Sequence, residues 1–282
     1  MKRPAISAIV CARNEEARLA DCLALLKANK PDEIIVVDGG SMDATVEIAE
    51  AAGVRIIRSG GRGLTFDRQL GIDAARFDLI VMVDADHRPN DDMLDRLYTD
   101  LVQFNFSVVQ AGVDIMPTSF WTRAEAEAMA TFHHRPGPRT MIGTAPALYR
   151  RSVFEHVRFD IAAKEMSDDA DFSYRLSQVP GMRFGVGTTK VLQLHDGSWA
   201  DYRAKFQWYG RRDGAFCLKH PERTASMLFH LLVRYPVLRP LRALVFGRWR
   251  APLWFWLAAS TRLGAMLGVL ASQKSEKRAV IA

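Results

Sequence analysis

Short apolar runs alternate with amphipathic stretches along the first third of the chain. Four runs, at residues 5–11, 33–38, 54–58 and 79–86, predict β-strands. Runs that are apolar at nearly every position are typical of strands buried on both faces of a parallel sheet. Stretches with helical periodicity between them predict helices over 13–27, over 45–52 and through Asp67. The repeated order predicts an α/β fold, with a mostly parallel sheet flanked by helices.

The pattern is less regular in the middle of the chain. Residues 108–115 and 191–195 predict two further strands, and 121–130 and 199–219 predict helices. Two prolines around a glycine predict a loop at 131–138, because proline interrupts helices and central strands. His133 and His134 in this loop are candidate substrate contacts, with exposed histidines that have no function as the alternative.

Charge divides the chain into two unequal parts. Residues 1–198 carry 23 basic and 28 acidic side chains, a net charge of −5, whereas residues 199–282 carry 15 and 4, a net charge of +11. We therefore predict a catalytic domain over 1–198 and a basic, apolar helical extension over 199–282. The basic extension favours an anionic partner. Its Trp and Leu content, and the lack of a nucleic-acid-binding motif, favour a membrane surface over nucleic acid.

The extension contains one long apolar segment. Residues 251–271 are apolar or small apart from Arg262 and long enough to span a bilayer. Arg262 is costly at the middle of a lone span, and basic residues flank both ends. We therefore expect helices that lie in or dip into the cytoplasmic leaflet of the inner membrane, as a peripheral or monotopic attachment. A buried helical bundle or a dimer interface is the alternative.

Two smaller observations concern the compartment and the basic side chains. Three cysteines without a C-x-x-C pair favour a reducing, cytosolic setting. The first apolar stretch ends at Cys11 and is too short for a signal peptide. Arg203, Arg211 and Arg212 are candidates for binding a diphosphate or a lipid phosphate, with a solvated basic face as the alternative.

Carboxylates follow two of the predicted strands. Asp84 and Asp86 end the fourth strand, and Asp38 ends the second. Ligands of open α/β sheets bind beyond the carboxyl ends of the strands, and residues two apart in an extended chain can face one ion. These oxygen ligands predict Mg²⁺ or Mn²⁺ at Asp84 and Asp86. Alternatively, Asp86 caps a helix, Asp84 is a solvated strand end, and Asp38 and Asp43 serve turns and caps.

Four segments carry a family resemblance: IVCARNEE, VVDGGSMDAT, VDAD and SDDADFSYRL. In this order they resemble the inverting family-two glycosyltransferases of the GT-A fold, over roughly the first 200 residues. The resemblance implies that the first two segments bind a nucleoside-diphosphate sugar and that VDAD holds the metal on its diphosphate. Gly39 stands where many relatives have a second acid, so the nucleobase is not implied. The implied donor-binding residues are Ala12, Asn14, Glu15, Asp38, Gly39, Ser41, Asp43, Arg68, Asp84 and Ala85.

The last segment, SDDADFSYRL, carries the implied catalytic residues. The resemblance makes Asp169 the general base that takes the proton of the acceptor hydroxyl, with Asp168 beside it. Alternatively, Ser167 caps a helix, and the helix dipole alone accounts for both acids. His195 is a candidate third metal ligand, with a strand-end histidine bonded to the backbone as the alternative. The implied acceptor contacts are Gly143, Thr144, Asp171 and Arg175.

Together these features predict a metal-dependent enzyme that transfers one sugar, with inversion, to a lipid-linked or glycan acceptor at the cytoplasmic membrane face. Such transfers occur in the synthesis of bacterial surface glycans and glycolipids. The Q-x-x-R-W motif of processive synthases is absent, because Gln207 directly precedes Trp208. Two rival hypotheses are a nucleotidyltransferase on a similar sheet and a non-catalytic membrane scaffold. The sequence leaves the sugar, the nucleotide and the oligomeric state open.

Overall fold

The structure is a computed structural model that describes residues 3–132, 136–162, 168–195 and 197–281, with only the backbone for Asp168 and residues 273–281. The described residues form two compact units, and each is considered by itself. The first contains those within 1–114, 135–164 and 168–194, and the second those within 115–134 and 195–282. The second unit thus includes a segment from the middle of the chain as well as the basic tail. The sequence predicts a boundary between two domains at residue 198. The compact units do not test that boundary, so it stays a prediction.

Three sequence-based predictions fall outside the described residues. They are the substrate contacts proposed for His133 and His134 and the helix cap proposed for Ser167. The side chain of Asp168 is likewise outside them.

Strands and helices alternate up to residue 115 and follow one another less regularly after it. In chain order the described elements are β1 (Ile6–Ala12), α1 (Leu19–Ala28), β2 (Glu33–Asp38), α2 (Thr45–Ala51), β3 (Arg55–Arg58), α3 (Leu64–Ala74), β4 (Leu79–Asp84), β5 (His87–Arg88), α4 (Met93–Gln103), β6 (Val108–Ile115), α5 (Phe120–Met129), β7 (Gly137–Pro138), β8 (Ala147–Arg150), α6 (Val153–His156), α7 (Asp168–Ser177) and β9 (Phe184–Gln193).

The basic tail is helical. Its elements are α8 (Trp199–Lys219), a short 3₁₀-helix (Pro221–Arg223), α9 (Thr224–Phe229), a π-helix (His230–Leu238), α10 (Arg239–Val245) and α11 (Ala251–Ile281). Within α11, the segment Ala251–Ser272 is long and apolar enough to cross a membrane, by length and composition alone.

The first unit is built on one mixed sheet. Its strand order is β3-β2-β1-β4-β8-β6-β9-β5, with β7 paired to β9. β3, β2, β1 and β4 run parallel, whereas β8 runs antiparallel to β4 and to β6, and β5 antiparallel to β9. The predicted α/β fold, with a sheet flanked by helices and an apolar helical extension, is confirmed.

Burial on both faces explains why the first strands are continuously apolar. Alternation along β1 directs Ala8 and Val10 toward one core, with Leu23 of α1 and Leu97 of α4. Ile9 faces a second core, on the other side of the sheet, that includes residues of α3 and α7. A strand with core on both faces leaves no position at which a polar side chain reaches water, so the polar residues collect at the strand ends.

Two predicted elements have wrong bounds, the fourth strand ends at Asp84 and not at residue 86, and one helix was not predicted. The first helix begins at Leu19 and not at residue 13, because the preceding turn places Asn14 at a positive φ of 56°. The strand predicted at 191–195 begins at Phe184 and ends at Gln193, since its glycines and threonines hide the apolar pattern. Helix α4 lacks a sequence-based prediction altogether, although its apolar face is buried.

The second unit packs its helices around small and aromatic side chains. Ala124 and Ala128 of α5 lie in one cluster with Tyr202 of α8 and with Phe255 and Ala258 of α11. Helices α8 and α11 approach closely at a glycine of α8. A Cβ on Gly210 would lie 2.3 Å from the carbonyl oxygen of Arg262. The two helices can therefore pack at this distance only because residue 210 has no side chain.

A buried ion pair accounts for the charge within α11. Arg262 donates to both carboxylate oxygens of Asp213 on α8, at 2.9 and 3.0 Å. Burial alone would lower the pKa of Arg262, but the Asp213 carboxylate, together with Tyr235 and Tyr209, raises that pKa. Because the guanidinium is neutralised inside the protein, Arg262 does not require a membrane interface. In the described residues, the buried-bundle alternative therefore explains this position.

Candidate active site at the carboxyl edge of the sheet

Three strand ends meet at one edge of the sheet in the first unit. The registers place Ala12 of β1 beside Asp38 of β2, and Cys11 of β1 beside Asp84 of β4. Parallel strands bring their carboxyl ends to the same edge, so the acids predicted from separate parts of the sequence become neighbours. Arg68 reaches the same place from α3, where it is buried although charged.

The loops after β1 and β2 are joined by hydrogen bonds. The backbone NH of Asn14 donates to Oγ of Ser41 at 3.0 Å, and the NH of Glu15 donates to Oγ1 of Thr45 at 2.7 Å. Asp43 accepts from the backbone NH of Thr45 at the start of α2. These hydrogen bonds shape the rim through Asn14, Glu15, Ser41 and Asp43. The contact of Asp43 agrees with the alternative that it serves a turn or a cap. The donor contacts of these four residues stay predictions.

Asp38 is buried and holds its own turn. Its Oδ1 accepts from the backbone NH of Ser41 at 3.0 Å, and its Oδ2 accepts from the NH of Gly40 at 3.2 Å. Beside it, a Cβ on Gly39 would lie 3.0 Å from Oδ2 of Asp67. A side chain at position 39 would therefore meet the carboxylate that α3 places there. Any contact of Asp38 or Gly39 with a donor stays a prediction.

Asp67 is a buried carboxylate that the sequence did not single out as a site residue. Its Oδ1 is buried and has no hydrogen-bond partner among the described residues. Burial raises the pKa of Asp67 and the nearby Asp38 adds to this, although a hydrogen bond from Ser59 opposes it. A polar residue at the fourth position of an amphipathic helix gives no signal of its own, so only the structure shows Asp67 at the edge.

Arg68 connects the two chemically important acids. Its Nη2 lies 3.3 Å from Oδ1 of Asp84, and its Nη1 lies 3.3 Å from Oδ1 of Asp169 on α7. The guanidinium is 6% exposed, whereas the two carboxylates are 36% and 49% exposed. One buried cation therefore holds two accessible carboxylates, and these acids are 85 positions apart in the sequence.

The acids after β4 form a group with the geometry of a metal site. Ligand atoms of Asp84, Asp86 and His87 lie within 4.8 Å of one another. Gln193 donates to Oδ2 of Asp86 at 2.7 Å, whereas Oδ1 of Asp86 is buried without a hydrogen-bond partner among the described residues. An oxygen kept from both water and donors suits a cation. Ala85, between the two acids, is buried.

His87 fits this group better as a neighbour of the acids than as a ligand. The backbone NH of Asp84 donates to its Nδ1 at 3.1 Å, so the neutral ring carries its proton on Nε2. That nitrogen lies 3.9 Å from Oδ1 of Asp86. A protonated Nε2 has no lone pair to offer a metal. Within this group, the two carboxylates are therefore the better candidates for metal ligands, and metal binding stays a prediction.

Glu15 adds a third carboxylate to this rim. Burial raises its pKa against the opposing effect of Arg18, and the negative charges of Asp86 and Asp84 raise it further. The mutual repulsion shows that negative charge accumulates here, and a divalent cation would relieve it.

Asp169 is held by Thr144. Its Oδ1 accepts from the backbone NH of Thr144 at 3.2 Å, and from the Thr144 hydroxyl. Thr144 is itself buried, and its carbonyl accepts from the hydroxyl of Tyr149 at 2.7 Å. The carboxylate is thus oriented by groups that cannot move easily. Gly143, which directly precedes Thr144, donates its backbone NH to Oε1 of Gln110 at 2.9 Å.

Asp171 and Arg175 are paired with each other on α7. Asp171 is 2% exposed and accepts from Nε of Arg175 at 2.8 Å, four residues along the same helix. A buried pair of this kind stabilises α7. Their implied contacts with an acceptor stay predictions, and this geometry favours a structural role.

A model of the family described as "Glycosyl transferase family 2" matches residues 7–158, more than half of the chain. The chain belongs to glycosyl transferase family 2. The predicted resemblance is therefore confirmed, and the matched residues contain both acids of VDAD as well as Arg68 and Thr144.

Relatives of this family 2 glycosyltransferase occur in bacteria. Two Bacillus subtilis (strain 168) sequences that bear the name glycosyltransferase are similar: EpsH, 33% identical over 38% of this chain, and EpsJ, 35% identical over 39% of it. These matches cover 35% and 34% of the relatives' own lengths. The chain thus spans about a third of the curated relatives that it matches.

Solved structures of GT-A-like proteins share the fold at low sequence identity. Staphylococcus aureus TarS 1–349 in complex with UDP-GlcNAc is 15% identical, with a TM-score of 0.55 over 93% of this chain and 92% of that one. Mycobacterium tuberculosis glucosyl-3-phosphoglycerate synthase, in complex with Mn²⁺, UDP and glucosyl-3-phosphoglycerate, is 15% identical, with a TM-score of 0.51 over 76% of this chain and 78% of that one. The predicted GT-A-type architecture is confirmed.

His195 belongs to the second unit of the glycosyltransferase, where it is hydrogen-bonded to side chains. Its Nε2 contacts Glu125 on α5 and lies 3.0 Å from the hydroxyl of Tyr202 on α8. Burial alone would raise the pKa of Glu125, but Lys205 and the hydrogen bonds from His195 and Tyr202 lower it to about 2. A charged Glu125 thus fixes the ring. The role of His195 as a metal ligand stays a prediction.

The three arginines predicted to bind phosphate do not lie together. Arg203 and Arg211, exposed on α8, line a cavity of about 680 Å³ with Gln207 and with Gly264 and Gly268 of α11. Arg212 is buried instead, with its guanidinium carbon 4.1 Å from the ring centroid of Trp208. Phosphate binding by Arg203 and Arg211 stays a prediction, and the position of Arg212 is that of a packed side chain.

Proposed function

We propose that this family 2 glycosyltransferase moves one sugar from a nucleoside-diphosphate sugar to an acceptor hydroxyl, with inversion at the anomeric carbon. The acceptor is lipid-linked and is used at the cytoplasmic face of the inner membrane, in the synthesis of a surface glycan or glycolipid. The proposal draws on the family, on the ligands that the similar structures hold, and on the edge of the sheet in the first unit.

One observation supports the proposal above all others. Arg68 is bonded on one side to Asp84, next to the orphan oxygen of Asp86, and on the other side to Asp169. A sugar transfer needs a group that stabilises the leaving diphosphate and a base that receives the acceptor proton, on opposite sides of one reacting carbon. Asp84 and Asp86 provide the site for the group that stabilises the diphosphate, and Asp169 provides the base. Arg68 contacts both Asp84 and Asp169.

The leaving diphosphate requires positive charge. Asp84 and Asp86 would hold Mg²⁺ or Mn²⁺, because both are hard oxygen ligands and Oδ1 of Asp86 lacks a hydrogen-bond donor among the described residues. When bound, such an ion neutralises charge that develops on the diphosphate. Arg68 supplies a second cation beside the same acids, and a guanidinium suits phosphate oxygens.

The acceptor hydroxyl requires a base. Asp169 takes its proton as the anomeric carbon is attacked from the face opposite the diphosphate, so the configuration inverts. Two hydrogen bonds from Thr144 hold Oδ1, and the side chain is 49% exposed, so that an acceptor can approach it. A base placed in this way contributes about 10²- to 10⁴-fold to the rate.

The donor nucleotide lies against the loops after β1 and β2. Gly39 follows the end of β2 in the second of these loops. The buried acceptors beside it, Asp38 and Asp67, suit the N–H and O–H donors of a base and a ribose. UDP-GlcNAc and UDP in the similar structures support a nucleoside diphosphate as the donor's leaving group.

A membrane location is supported by the tail. Residues 199–282 carry a net charge of +11, and α11 contains the segment that could cross a membrane by length and composition. Basic residues beside apolar ones are typical of attachment to anionic lipid. An enzyme held there would meet a lipid-linked acceptor by diffusion in the plane of the membrane.

The test is a panel of nucleotide sugars incubated with purified protein, a membrane lipid extract, and Mg²⁺ or Mn²⁺. Release of nucleoside diphosphate and appearance of labelled sugar in the lipid fraction are followed together. We expect one donor to give both signals, and chelation of the metal to abolish them. Asp86→Asn should remove them as well, by about 10³-fold or more. The control Asp91→Asn removes an exposed acid and should act as the wild type.

Other outcomes would each contradict the proposal. Pyrophosphate release from a nucleoside triphosphate would identify a nucleotidyltransferase. Failure to bind any nucleotide by calorimetry, with metal present, would identify a scaffold. A product that retains the anomeric configuration of the donor, measured by NMR, would exclude Asp169 as the base of an inverting transfer.

A further inference from the structure

The helices between α8 and α11 expose large apolar side chains. Leu232, Leu238, Leu241, Val245, Phe246 and Trp249 are between 49% and 81% exposed. We call these six residues the exposed apolar face. Soluble proteins commonly expose single apolar residues, but a cluster over so short a stretch marks a surface that contacts something.

The orientation of these helices is fixed from the inside. Leu231 and Tyr235 of the π-helix and Ala243 of α10 are buried, and Tyr235 packs against Phe255 with ring centroids 5.3 Å apart. Arg239 donates to the carbonyl of Thr131 at 2.9 Å. Turning the exposed apolar face inward would remove all of these contacts, so its exposure follows from the packing of the second unit.

Positive charge accompanies the apolar side chains. Arg234 and Arg242 are exposed on the same helices. The sequence has no aspartate or glutamate between Glu222 and Glu276. Apolar side chains bordered by arginine, without acids, complement a surface that is apolar inside and negative outside, which is the property of an anionic lipid leaflet.

Helix α11 extends this surface only at its beginning. Trp256 is 50% exposed, and its indole NH donates to the carbonyl of Pro236 in the π-helix at 2.8 Å. Farther along, Leu267 is the one large apolar side chain among the exposed residues described for α11, and the others are small or polar, among them Ser260, Gly264, Gly268 and Ser272. This part of α11 offers little to lipid tails, and Arg262 is already paired with Asp213.

From these observations we propose that the exposed apolar face is the part of the protein that enters an anionic membrane surface. The π-helix and α10 lie along the interface, with Arg234 and Arg242 at the headgroups, and α11 packs on the protein side instead of spanning the bilayer. The inference rests on the membrane location in the proposed function, and it assigns that location to a defined set of residues.

The experiment is flotation of the full chain with vesicles of phosphatidylcholine, with and without phosphatidylglycerol. We expect flotation with the anionic vesicles that weakens as salt is added. The double variant Leu241→Glu, Val245→Glu should lower the bound fraction by about tenfold or more, since two apolar side chains are withdrawn from lipid. Arg234→Gln with Arg242→Gln should weaken binding to the anionic vesicles alone.

A matched control carries the same change in charge elsewhere. Leu218→Glu with Leu267→Glu replaces two leucines of α8 and α11 that are 42% and 48% exposed. This variant should float as the wild type does. Circular dichroism and thermal melting confirm that both variants fold, which we expect because all four positions are exposed.

Three results would overturn the proposal. One is equal flotation of the test and control variants. Another is loss of flotation in the control alone, which would assign the membrane contact to α11. The third is a wild-type dimer in lipid-free buffer that Leu241→Glu, Val245→Glu converts to a monomer without a change in flotation, which would make this face an interface between two copies.

The same samples distinguish failure of this proposal from failure of the proposed function. Nucleoside diphosphate release is measured in detergent, where docking is not required. Release of nucleoside diphosphate without any difference in flotation between the variants would support the transferase and refute membrane binding by the exposed apolar face. Flotation that depends on Leu241 and Val245, without release of nucleoside diphosphate from any donor, would support membrane binding by the exposed apolar face and refute the transferase.

Discussion

Both units bury an arginine, but they surround it differently. In the first, Arg68 lies 3.3 Å from each of two carboxylates that are 36% and 49% exposed. In the second, Arg262 donates to both oxygens of Asp213 at 2.9 and 3.0 Å, and these side chains are 16% and 5% exposed. The first arrangement is open on one side and the second is closed.

The surroundings of the two arginines indicate different roles, a catalytic or binding role for the first and a structural role for the second. A closed, bidentate pair has satisfied its charges, so a ligand gains nothing by approaching it, and removing one partner leaves a buried charge. An open set of long contacts can exchange a protein partner for a phosphate or a hydroxyl at little cost. We therefore expect substitutions at the sheet edge to change turnover with little effect on stability, and substitutions at Arg262 and Asp213 to do the reverse.

The largest expected effect is that of Asp169→Asn. Asparagine can still accept from Thr144 through its amide oxygen, but it cannot take a proton from the acceptor. Turnover should fall by about 10²- to 10⁴-fold, whereas donor affinity and melting temperature should change little. Initial rates of nucleoside diphosphate release, and calorimetric titration with the donor, measure the two quantities.

Asp114→Asn is the matched control for this change. Asp114 lies near the end of β6 in the same unit, is 55% exposed and is paired with Lys190 at 3.0 Å. It should retain wild-type turnover. Loss of donor binding in Asp169→Asn, or turnover equal to the control, would show that Asp169 is not the base.

The next effect is that of Asp213→Ala on stability. Removing the carboxylate leaves Arg262 buried without its partner, which costs about 3–5 kcal/mol. Tryptophan fluorescence during urea denaturation measures it selectively, because all six tryptophans lie within the second unit. The control Glu222→Ala, in the same unit, removes a carboxylate that is 55% exposed and lies 3.7 Å from His220, and it should cost less than about 1 kcal/mol. Equal costs for the two variants would show that the pair at Arg262 is not closed.

The sequence predicts the sheet edge well for a physical reason. Strands buried on both faces are continuously apolar, so a polar residue at their ends stands out, as Asp38 and Asp84 do. Parallel pairing then brings those ends together without further information. Asp67 and Gln193 escaped prediction, because each is a single polar residue whose neighbours in space are distant in sequence.

The second unit was harder to predict from the same chain. Composition identified a basic, apolar region, but it could not show which apolar side chains would be buried. The segment 251–271 gives the stronger membrane signal, yet Phe255 and Ala258 there are buried against the other helices. Pro236 and Pro240 interrupt the pattern of the preceding stretch, which nevertheless forms the π-helix and α10. Packing between helices decided both outcomes.

Thr144→Val should have a smaller effect on the first unit. Valine has nearly the shape of threonine but has no hydroxyl, so the carboxylate of Asp169 loses one hydrogen bond and keeps those from the backbone NH and from Arg68. We expect turnover to fall by about 10- to 100-fold with unchanged donor affinity, because the base is less well positioned. Thr144→Ser keeps the hydroxyl and should restore most of the rate. A serine variant as slow as the valine variant would indicate a defect in packing and not in positioning.

The smallest effect comes from two glycines of the second unit that differ only in their surroundings. Both lie inside helices, so replacement by alanine gives each the same gain in helix propensity, about 0.5–1 kcal/mol. At Gly264 nothing lies within 4 Å of the new Cβ, and the variant should be more stable by that amount. At Gly210 the Cβ would lie 2.3 and 2.7 Å from backbone atoms of Arg262, and overpacking should cost about 1–3 kcal/mol net. Urea denaturation followed by tryptophan fluorescence measures both. If Gly210→Ala were stabilising, α8 and α11 could not approach as closely as they do, and the closed pair between Asp213 and Arg262 would lose its structural basis.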